Sequence, residues 1–450
     1  MPLSNAEQFL LELINRARLD PTAEATRYGI ELNASLSPGT LNGQAKQVLA
    51  PNAMLEKAAT DHGLWMLATD TFSHTGAGGS QPWDRARAAG YSWSNVGENI
   101  SFRGTTAPSF DLEAYILAHH QGLFLSSGHR TNILDTAFKE IGLAQETGDY
   151  TTNGTTYNSS FTTELFGTSG SKSFVTGAAY TDSDADAFYS MGEGVGGVSF
   201  TSGLVTTTTA ASGGYALALT AGAAVAVTGN VAGRAFSVTV DLSHGNVKLD
   251  IVGGSQFSTS GNLTLGTGVS DARLLGVGGL WIRGNAAGNV LDGNSGANLL
   301  LGAGGADLIR GGLGNDKIGG GDAADRLYGN AGRDVLSGGN GDDILSGGTG
   351  ADRLSGEAGN DTLTGDAGAD QFVFVRPVGA DVVADFRQAD GDRLLINDAL
   401  WSAVLTTQQV VQQFAQMDAG DVVFDFGAGG TIRLDGITST AGLWNAIDLL

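Results

Sequence analysis

The chain has 450 residues, a net charge of −23 and no cysteine, which gives room for two to four cored domains and excludes disulfides as their staples. That acidity repels nucleic acid and anionic membranes and suits a protein that lives with divalent cations. The N-terminus lacks a basic n-region, Glu7 and Glu12 interrupt any apolar run, and no stretch approaches membrane-spanning length. Neither a Sec signal peptide nor a transmembrane segment is therefore expected.

In chain order, Ser4-Asn5-Ala6-Glu7 has the form of a capping box, and Phe9, Leu10, Leu13, Ile14 and Ala17 line one helical face behind it until Asp20-Pro21 stops the helix. A second helix from about Asn52 carries a stripe of Leu55, Ala58, Ala59, His62, Trp65, Met66 and Thr69, which reads His62 as a packing residue. A third is expected over about 110–124, with strands over 140–145 and 160–166. Residues 1–170 thus read as a mixed helix and sheet domain.

Four short segments of this domain stand out: Phe72-Ser73-His74-Thr75-Gly76, Gly97-Glu98-Asn99-Ile100, Ser127-Gly128-His129-Arg130-Thr131-Asn132-Ile133-Leu134 and Glu140-Ile141-Gly142-Leu143-Ala144. With Asn15-Arg16-Ala17-Arg18 and the stretch Pro82 to Tyr91, they resemble the CAP superfamily (the cysteine-rich secretory, antigen 5 and pathogenesis-related 1 group) in a cysteine-free bacterial form, over residues 5–167. The resemblance implies a three-layer α-β-α sandwich with an open cleft lined by two histidines and two acidic residues. Carried over by motif, these are His74, His129 and Glu98. The fourth member is Glu113 or His120, seven apart on one helical face, with His120 favoured. Two neutral imidazoles can share Zn²⁺ or another divalent ion, and the carboxylate can orient a ring or hold a water. No Ser or Cys nucleophile motif and no H-E-x-x-H helix is present, so no catalytic residue is assigned. Arg130 and Asn99 read as structural.

From 171 to 250 the composition shifts to Thr, Val, Ala and Gly, and alternating runs such as Gly213 to Leu219 and Ala235 to Val240 read as strands. Asp182, Asp184, Asp186, Phe188 and Glu193 reproduce the ligand spacing of an EF-hand-type calcium loop, although Ala187 stands where that turn takes Gly. With Gly192 to Val198 and Thr206 to Leu219, this region resembles the small prealbumin-like β-sandwich modules of bacterial surface proteins. Short apolar pairs over 251–283 suggest a cap on the N-terminal end of the repeats that begin at Gly284.

Residues 284–373 are ten consecutive nonapeptides, each beginning with glycine, from Gly284 to Gly365. The sixth place carries Asp307, Asp316, Asp325, Asp334, Asp343, Asp352, Asp361 and Asp370, preceded by Asn289 and Asn298, and the eighth place is always Leu, Ile or Phe. Glycines permit a turn every few residues, the apolar residue points inward from a two- or three-residue strand, and stacked aspartates repel unless a hard cation lies between them. Gly338-Gly339-Asn340-Gly341-Asp342-Asp343-Ile344-Leu345-Ser346 resembles the RTX family, which implies a right-handed parallel β-roll that binds Ca²⁺. In the tail, 374–450, Asp385-Phe386, Asp390-Gly391-Asp392-Arg393-Leu394 and the strand pair 422–426 and 431–434 resemble the C-terminal hairpin region of serralysin-like proteins. A helix is expected over 407–417, with Val410, Val411, Phe414 and Met417 on one face. That resemblance implies a C-terminal signal read by a type I secretion transporter, hence a secreted, extracellular protein. For the cleft, three roles stay open: binding of a lipid, sterol or cell-envelope ligand; metal-assisted peptide hydrolysis; or a matrix or adhesion role without a small ligand.

Overall fold

The structure is a computed structural model that describes residues 2–375, 379–401 and 403–450, and it divides into two compact units, Met1–Gly261 and Asn262–Leu450. In the first unit, α1 (Asn5–Leu19) opens on the expected capping box, with Ser4 Oγ accepting the Glu7 N–H and the Glu7 carboxylate accepting the Ser4 N–H at 2.8 Å. Asp20-Pro21 ends α1 but also starts α2 (Pro21–Arg27). The Asp20 carboxylate caps the Ala23 N–H, and proline sits in the first turn, where its missing N–H costs nothing. Then come α3 (Ala53–Ala68), capped by Asn52, α4 (Pro82–Ala88), α5 (Leu112–Leu125) and α6 (Ser127–Leu134).

Four strands, β1 (Ala50–Pro51), β2 (Asn95–Thr105), β3 (Glu140–Thr152) and β4 (Thr155–Thr168), form a sheet of order β1-β3-β4-β2 with β2 at its edge. The last two outrun the expected 140–145 and 160–166 because Asn153 and Gly154, both at positive φ, close them into one long hairpin. On one face Ile141, Leu143 and Phe166 pack with α1, α5 and α6. On the other Ala144 and Leu165 pack with Leu55, Ala58 and Ala59 of α3 and Ala86 of α4. This is the α-β-α sandwich.

Beyond the sandwich lie β5 (Lys172–Tyr180), β6 (Ser199–Ser202), β7 (Val205–Thr208), β8 (Gly214–Thr220), β9 (Ala224–Val231), β10 (Arg234–Asp241), β11 (Val247–Val252) and β12 (Gln256–Thr259). They share a core with the helices: Ala178, Tyr180 and Tyr189 join the cluster of Phe9, Leu10 and Leu13. At this seam Lys248 of β11, fully buried, meets Glu12 of α1 at 2.8 Å and Asp250 beside it. Asn246 donates to the carbonyls of Val48 and Lys139 at 2.9 and 2.7 Å.

In the second unit, strands alternate between two parallel stacks. Leu299–Gly304 pairs with Lys317–Asp322, and Leu308–Leu313 with Arg326–Ala331, so the chain returns to the same sheet every 18 residues. The eighth-place residues, Leu300, Ile309, Ile318 and Leu327 onward, form the buried column between the sheets. Strands run six residues rather than two or three, because pairing resumes beyond the first-place glycine of each repeat. The coil is also longer than the repeats. Leu263–Leu265 already stacks on Trp281–Arg283, and in the tail Ala380–Val383, Thr431–Leu434, Arg393–Ile396 and Ile447–Leu449 extend both stacks in parallel register. The tail hairpin pairs Val422 with Leu434. The expected helix ends early: α7 spans Thr407–Phe414 and buries Val410 and Val411, while Ala415–Asp418 turns into a strand on Asp421–Asp425 and leaves Met417 exposed.

Replacing Lys248 leaves two buried carboxylates facing each other without a counterion. Lys248→Ala should therefore destabilise the first unit by about 3–5 kcal/mol in chemical denaturation; an unchanged midpoint would show that the seam does not depend on this charge.

Candidate functional site

The expected cleft lies along the edge strand. Glu98, on β2, is nearly buried; one carboxylate oxygen lies 2.9 Å from Nδ1 of His74, in the loop after α3, and the other pairs with Arg85 of α4. Arg85 also donates to the carbonyls of Ser80 and His74 at 2.9 and 3.1 Å, so it ties the His74 loop to the sheet. His74 is half exposed. His129, in α6, is partly buried, and its Nδ1 has no hydrogen-bond partner within the protein. Burial, then the neighbouring His74, pushes its pKa down, so the ring is neutral at pH 7. The motif residues His74, Glu98 and His129 are thus brought to one place.

Behind them sits a polar network. Asn99 donates to Glu164 at 2.8 Å and accepts from Asn132 at 2.9 Å, and burial pushes the Glu164 carboxyl up to about 8. Arg130 is spent on the carbonyls of Phe124, Leu125 and Ala34, as the sequence suggested. His62 is a packing residue: its Nε2 lies 2.9 Å from the Ser73 carbonyl and its ring stacks on Trp65. Further along the same face of β2, Phe102 contacts Phe72, Phe161, Tyr150 and Tyr157, and Phe72, two residues before His74, stays 43% exposed. A charged cluster and an aromatic strip therefore adjoin.

The fourth cleft member is corrected. His120 is fully buried, with Nε2 3.0 Å from Glu24 of α2 and its ring between Tyr28 and Phe124. Its seven-residue spacing from Glu113 fixes a shared helical face but not what that face meets, and α5 packs on α1. Glu113 lies in the first turn of α5, where burial and the charges of Asp111, Asp184, Glu193 and Asp186 raise its carboxyl. Its electrostatic neighbours are the acidic loop, not His74. The residue that sequence reasoning left without a role is Arg85, for which spacing carries no signal.

Among the described residues, one group of three or more carboxylate or imidazole ligands converges: Asp182, Asp184 and Glu193, within 4.8 Å of one another. Glu193 is also held by the Ser183 and Ser190 N–H groups. Asp186 accepts the Phe188 N–H at 2.8 Å and stands outside the group, and the Phe188 ring packs under Arg16 and against Phe9. Ala187 does adopt the positive φ, 61°, for which such a loop normally takes glycine.

The aspartate ladder carries the strongest chemical signal. Oδ1 of each accepts the N–H eighteen residues earlier, from Asn289 to Asp307 at 2.6 Å through Asp352 to Asp370 at 2.8 Å. Oδ2 of all eight, Asp307 to Asp370, is buried without a partner. At Gly302 a Cβ would fall 2.0 Å from Asp307 Oδ2 and 2.6 Å from the Gly320 carbonyl oxygen, so glycine is required where carboxylate and carbonyl oxygens crowd together. Burial pushes Asp307, Asp343 and Asp370 up to about 7 and Asp316, Asp325 and Asp334 up to about 6. Clustered oxygens with no donor fit a hard cation such as Ca²⁺ and suit neither Zn²⁺ nor an anion. Asp381 and Asp392 extend the ladder, accepting the Asp361 and Asp370 N–H groups at 3.1 and 3.0 Å; offsets of 20 and 22 residues hid them from the nine-residue period.

Residues 11–162 match the Cysteine-rich secretory protein family, and 283–318, 319–354 and 346–373 match the RTX calcium-binding nonapeptide repeat. No curated protein is detectably similar to this chain. Among solved structures, an extracellular protein containing a SCP domain from Bacillus anthracis is 22% identical over 28% of this chain and 35% of its own, with a TM-score of 0.21. An outer surface protein from Borrelia burgdorferi is 20% identical over 27% of this chain and 78% of its own (TM-score 0.20). An extracellular lipase from Serratia marcescens is 15% identical over 40% and 45% (TM-score 0.19). The chain thus spans about a third of the first of these proteins. It carries, in order, a domain of the cysteine-rich secretory protein family and an array of RTX calcium-binding repeats.

Proposed function

We propose that this is an exported protein, stabilised by calcium, whose CAP cleft binds an amphiphilic ligand: a lipid, a sterol or a component of the cell envelope. The carrying observation is the junction of the His74, Glu98 and Arg85 cluster with an aromatic strip of the exposed Phe72 and the partly buried Phe102. A polar headgroup would meet the charged end and an apolar body the rings. Because Glu98 is already neutralised by Arg85 and hydrogen-bonded to His74, it is poorly placed as a general base. The alternative, a Zn²⁺-dependent hydrolase, is favoured by the unpartnered Nδ1 of His129, a ring close enough to His74 to feel its charge. Two imidazoles would hold the metal, which would then activate a water. In titrations of the protein with sterol and phospholipid vesicles, Phe72→Ala should weaken binding roughly tenfold, the worth of one buried aromatic ring, and His74→Ala, His129→Ala should matter less. Zn²⁺ binding that vanishes in that double variant, with no vesicle binding, would favour the hydrolase.

Calcium would be taken by the ladder, and a further ion by the loop of Asp182, Asp184 and Glu193, with Asp186 and the Phe188 carbonyl as remaining candidates. Burial raises all eight ladder carboxyls in the fold, Asp307, Asp343 and Asp370 to about 7 and Asp316, Asp325 and Asp334 to about 6, against an unfolded value near 3.8. Raised values favour the protonated folded form, so without calcium their contribution to stability is complete below about pH 4 and lost as the pH rises through 6 to 7. In chelator, the circular dichroism of the whole protein should therefore gain β-signal on going from pH 8 to pH 5, and Ca²⁺ at pH 8 should restore the same signal. A chelator spectrum equally β-rich at both pH values would refute this.

Export by a type I transporter would use the C-terminal region. Removing residues 395–450 should retain the protein in cells, and fusing them to a passenger should release it through a matching transporter. Because 395–450 also supplies the last strands of the coil, the passenger result is the decisive one.

A further inference from the structure

The first two repeats differ from the other eight in one atom of their sixth residue, and that atom changes where every bond goes. Asn289 and Asn298 are as buried as the aspartates, 1% and 3% exposed, yet none of their side-chain atoms lacks a partner. Oδ1 of Asn289 accepts the Asn285 N–H at 2.9 Å, and Oδ1 of Asn298 accepts the Asn294 N–H at 2.9 Å. Like Asp307 Oδ2, each of these oxygens faces the first-place glycine of its repeat: a Cβ at Gly284 would lie 2.3 Å from Asn289 Oδ1, and one at Gly293 2.7 Å from Asn298 Oδ1. The amide nitrogens point back along the coil, Asn289 Nδ2 to the Ser270 carbonyl at 3.1 Å and Asn298 Nδ2 to the Gly278 carbonyl at 3.4 Å.

A second asparagine in each repeat completes the substitution. Asn285 Nδ2 donates to the carbonyls of both Gly266 and Val269 at 2.8 Å, and Asn294 Nδ2 to those of Leu275 and Gly278 at 3.2 and 3.1 Å. Bridging two carbonyl oxygens of the preceding turn is work that a bound cation could also do, and an NH₂ group does it with two N–H donors and no charge. From Ala303 onward the second place is an asparagine again at Asn330 alone, whose side chain makes no hydrogen bond to the preceding turn among the described residues, and from Asp307 onward Oδ2 of each sixth-place aspartate is unpartnered.

We propose that residues 284–301 form a metal-free turn in which paired asparagines take the place of calcium, so that the calcium ladder has Asp307 as its first rung and the coil keeps a folded end when calcium is absent. This rests on the reading of Asp307 to Asp370 as calcium ligands. The hydrogen bonds that anchor this turn backward, Val290 N–H to the Ser270 carbonyl at 3.1 Å and Leu299 N–H to the Leu280 carbonyl at 3.0 Å, involve no ladder aspartate. Coils of this kind grow by addition to an existing turn, so a preformed end supplies the surface on which each calcium-loaded turn is laid.

Hydrogen exchange of the full chain, followed by mass spectrometry in chelator and in millimolar Ca²⁺, tests the proposal. In chelator, peptides covering 281–299 should exchange at least about tenfold more slowly than those covering 317–363, and in Ca²⁺ both should be protected. Equally fast exchange of the two regions in chelator would overturn it. Equal protection of 317–363 with and without Ca²⁺ would instead overturn the calcium reading of the ladder, and the proposal with it. The double variant Asn289→Asp, Asn298→Asp should lose the protection of 281–299 in chelator and regain it in Ca²⁺. Retained protection in chelator, or none in either condition, would show that the amides are not what holds this turn.

Discussion

Eight buried carboxylate oxygens without a donor set the terms for the second half of this protein. A protein interior tolerates an unpaired polar atom only at a cost, and here the same atom recurs on every sixth-place aspartate from Asp307 to Asp370. The glycines are a consequence, since a side chain at Gly302 or Gly320 would collide with the oxygen cluster. So is the dependence on more than the narrow hydrophobic column, because strands this short bury one apolar side chain per repeat and cannot alone offset the repulsion. An ion bound by these repeats would be a structural member of the coil in the same sense as its leucines, and would tie folding to where calcium is plentiful.

The first half solves a different problem with ordinary means. A sheet covered by helices on both faces places its edge strand β2 where loops can reach it, and the cleft forms there because Glu98 is drawn from one side by Arg85 and His74. The strands after residue 171 are held to α1 by common apolar core residues and by the Glu12, Lys248 and Asp250 cluster. A buried three-charge group is a weak source of stability but a strict one, since Lys248 needs both carboxylates, while Glu12 is further held by Gln8 and Asp250 by the Ala178 N–H. It fixes the register between helix and sheet more than it strengthens either.

Both repeat and motif were legible because they are periodic or local. A nine-residue spacing of Gly, Asp and Leu admits few other folds, and the segments around His74, Glu98 and His129 did meet in space. What escaped the sequence was direction. Glu113 and His120 share a helical face, but only the packing of α5 shows that His120 turns to Glu24 and that Glu113 feels the acidic loop. Arg85 has no spacing relation to Glu98, and Asp381 and Asp392 drop out of phase by inserted residues although their backbone partners continue the ladder. Asn153-Gly154 is itself a hairpin signal, and it carries the flanking strands past the ends that alternation alone marks. Asp20-Pro21 ends one helix and begins the next, because a capping carboxylate followed by proline serves a helix start as well as a stop.

Because each strand lies on the one eighteen residues before it, the coil has a unit of length. Its tail places Arg393–Ile396 on one stack and Ala380–Val383 on the other, so it distinguishes the two sheets. Inserting or deleting a whole turn leaves that tail on the same sheets, whereas a single nonapeptide delivers every later strand to the opposite one. An odd number of inserted repeats would therefore turn the tail to the other side of the coil, whereas a whole turn would only carry it further along.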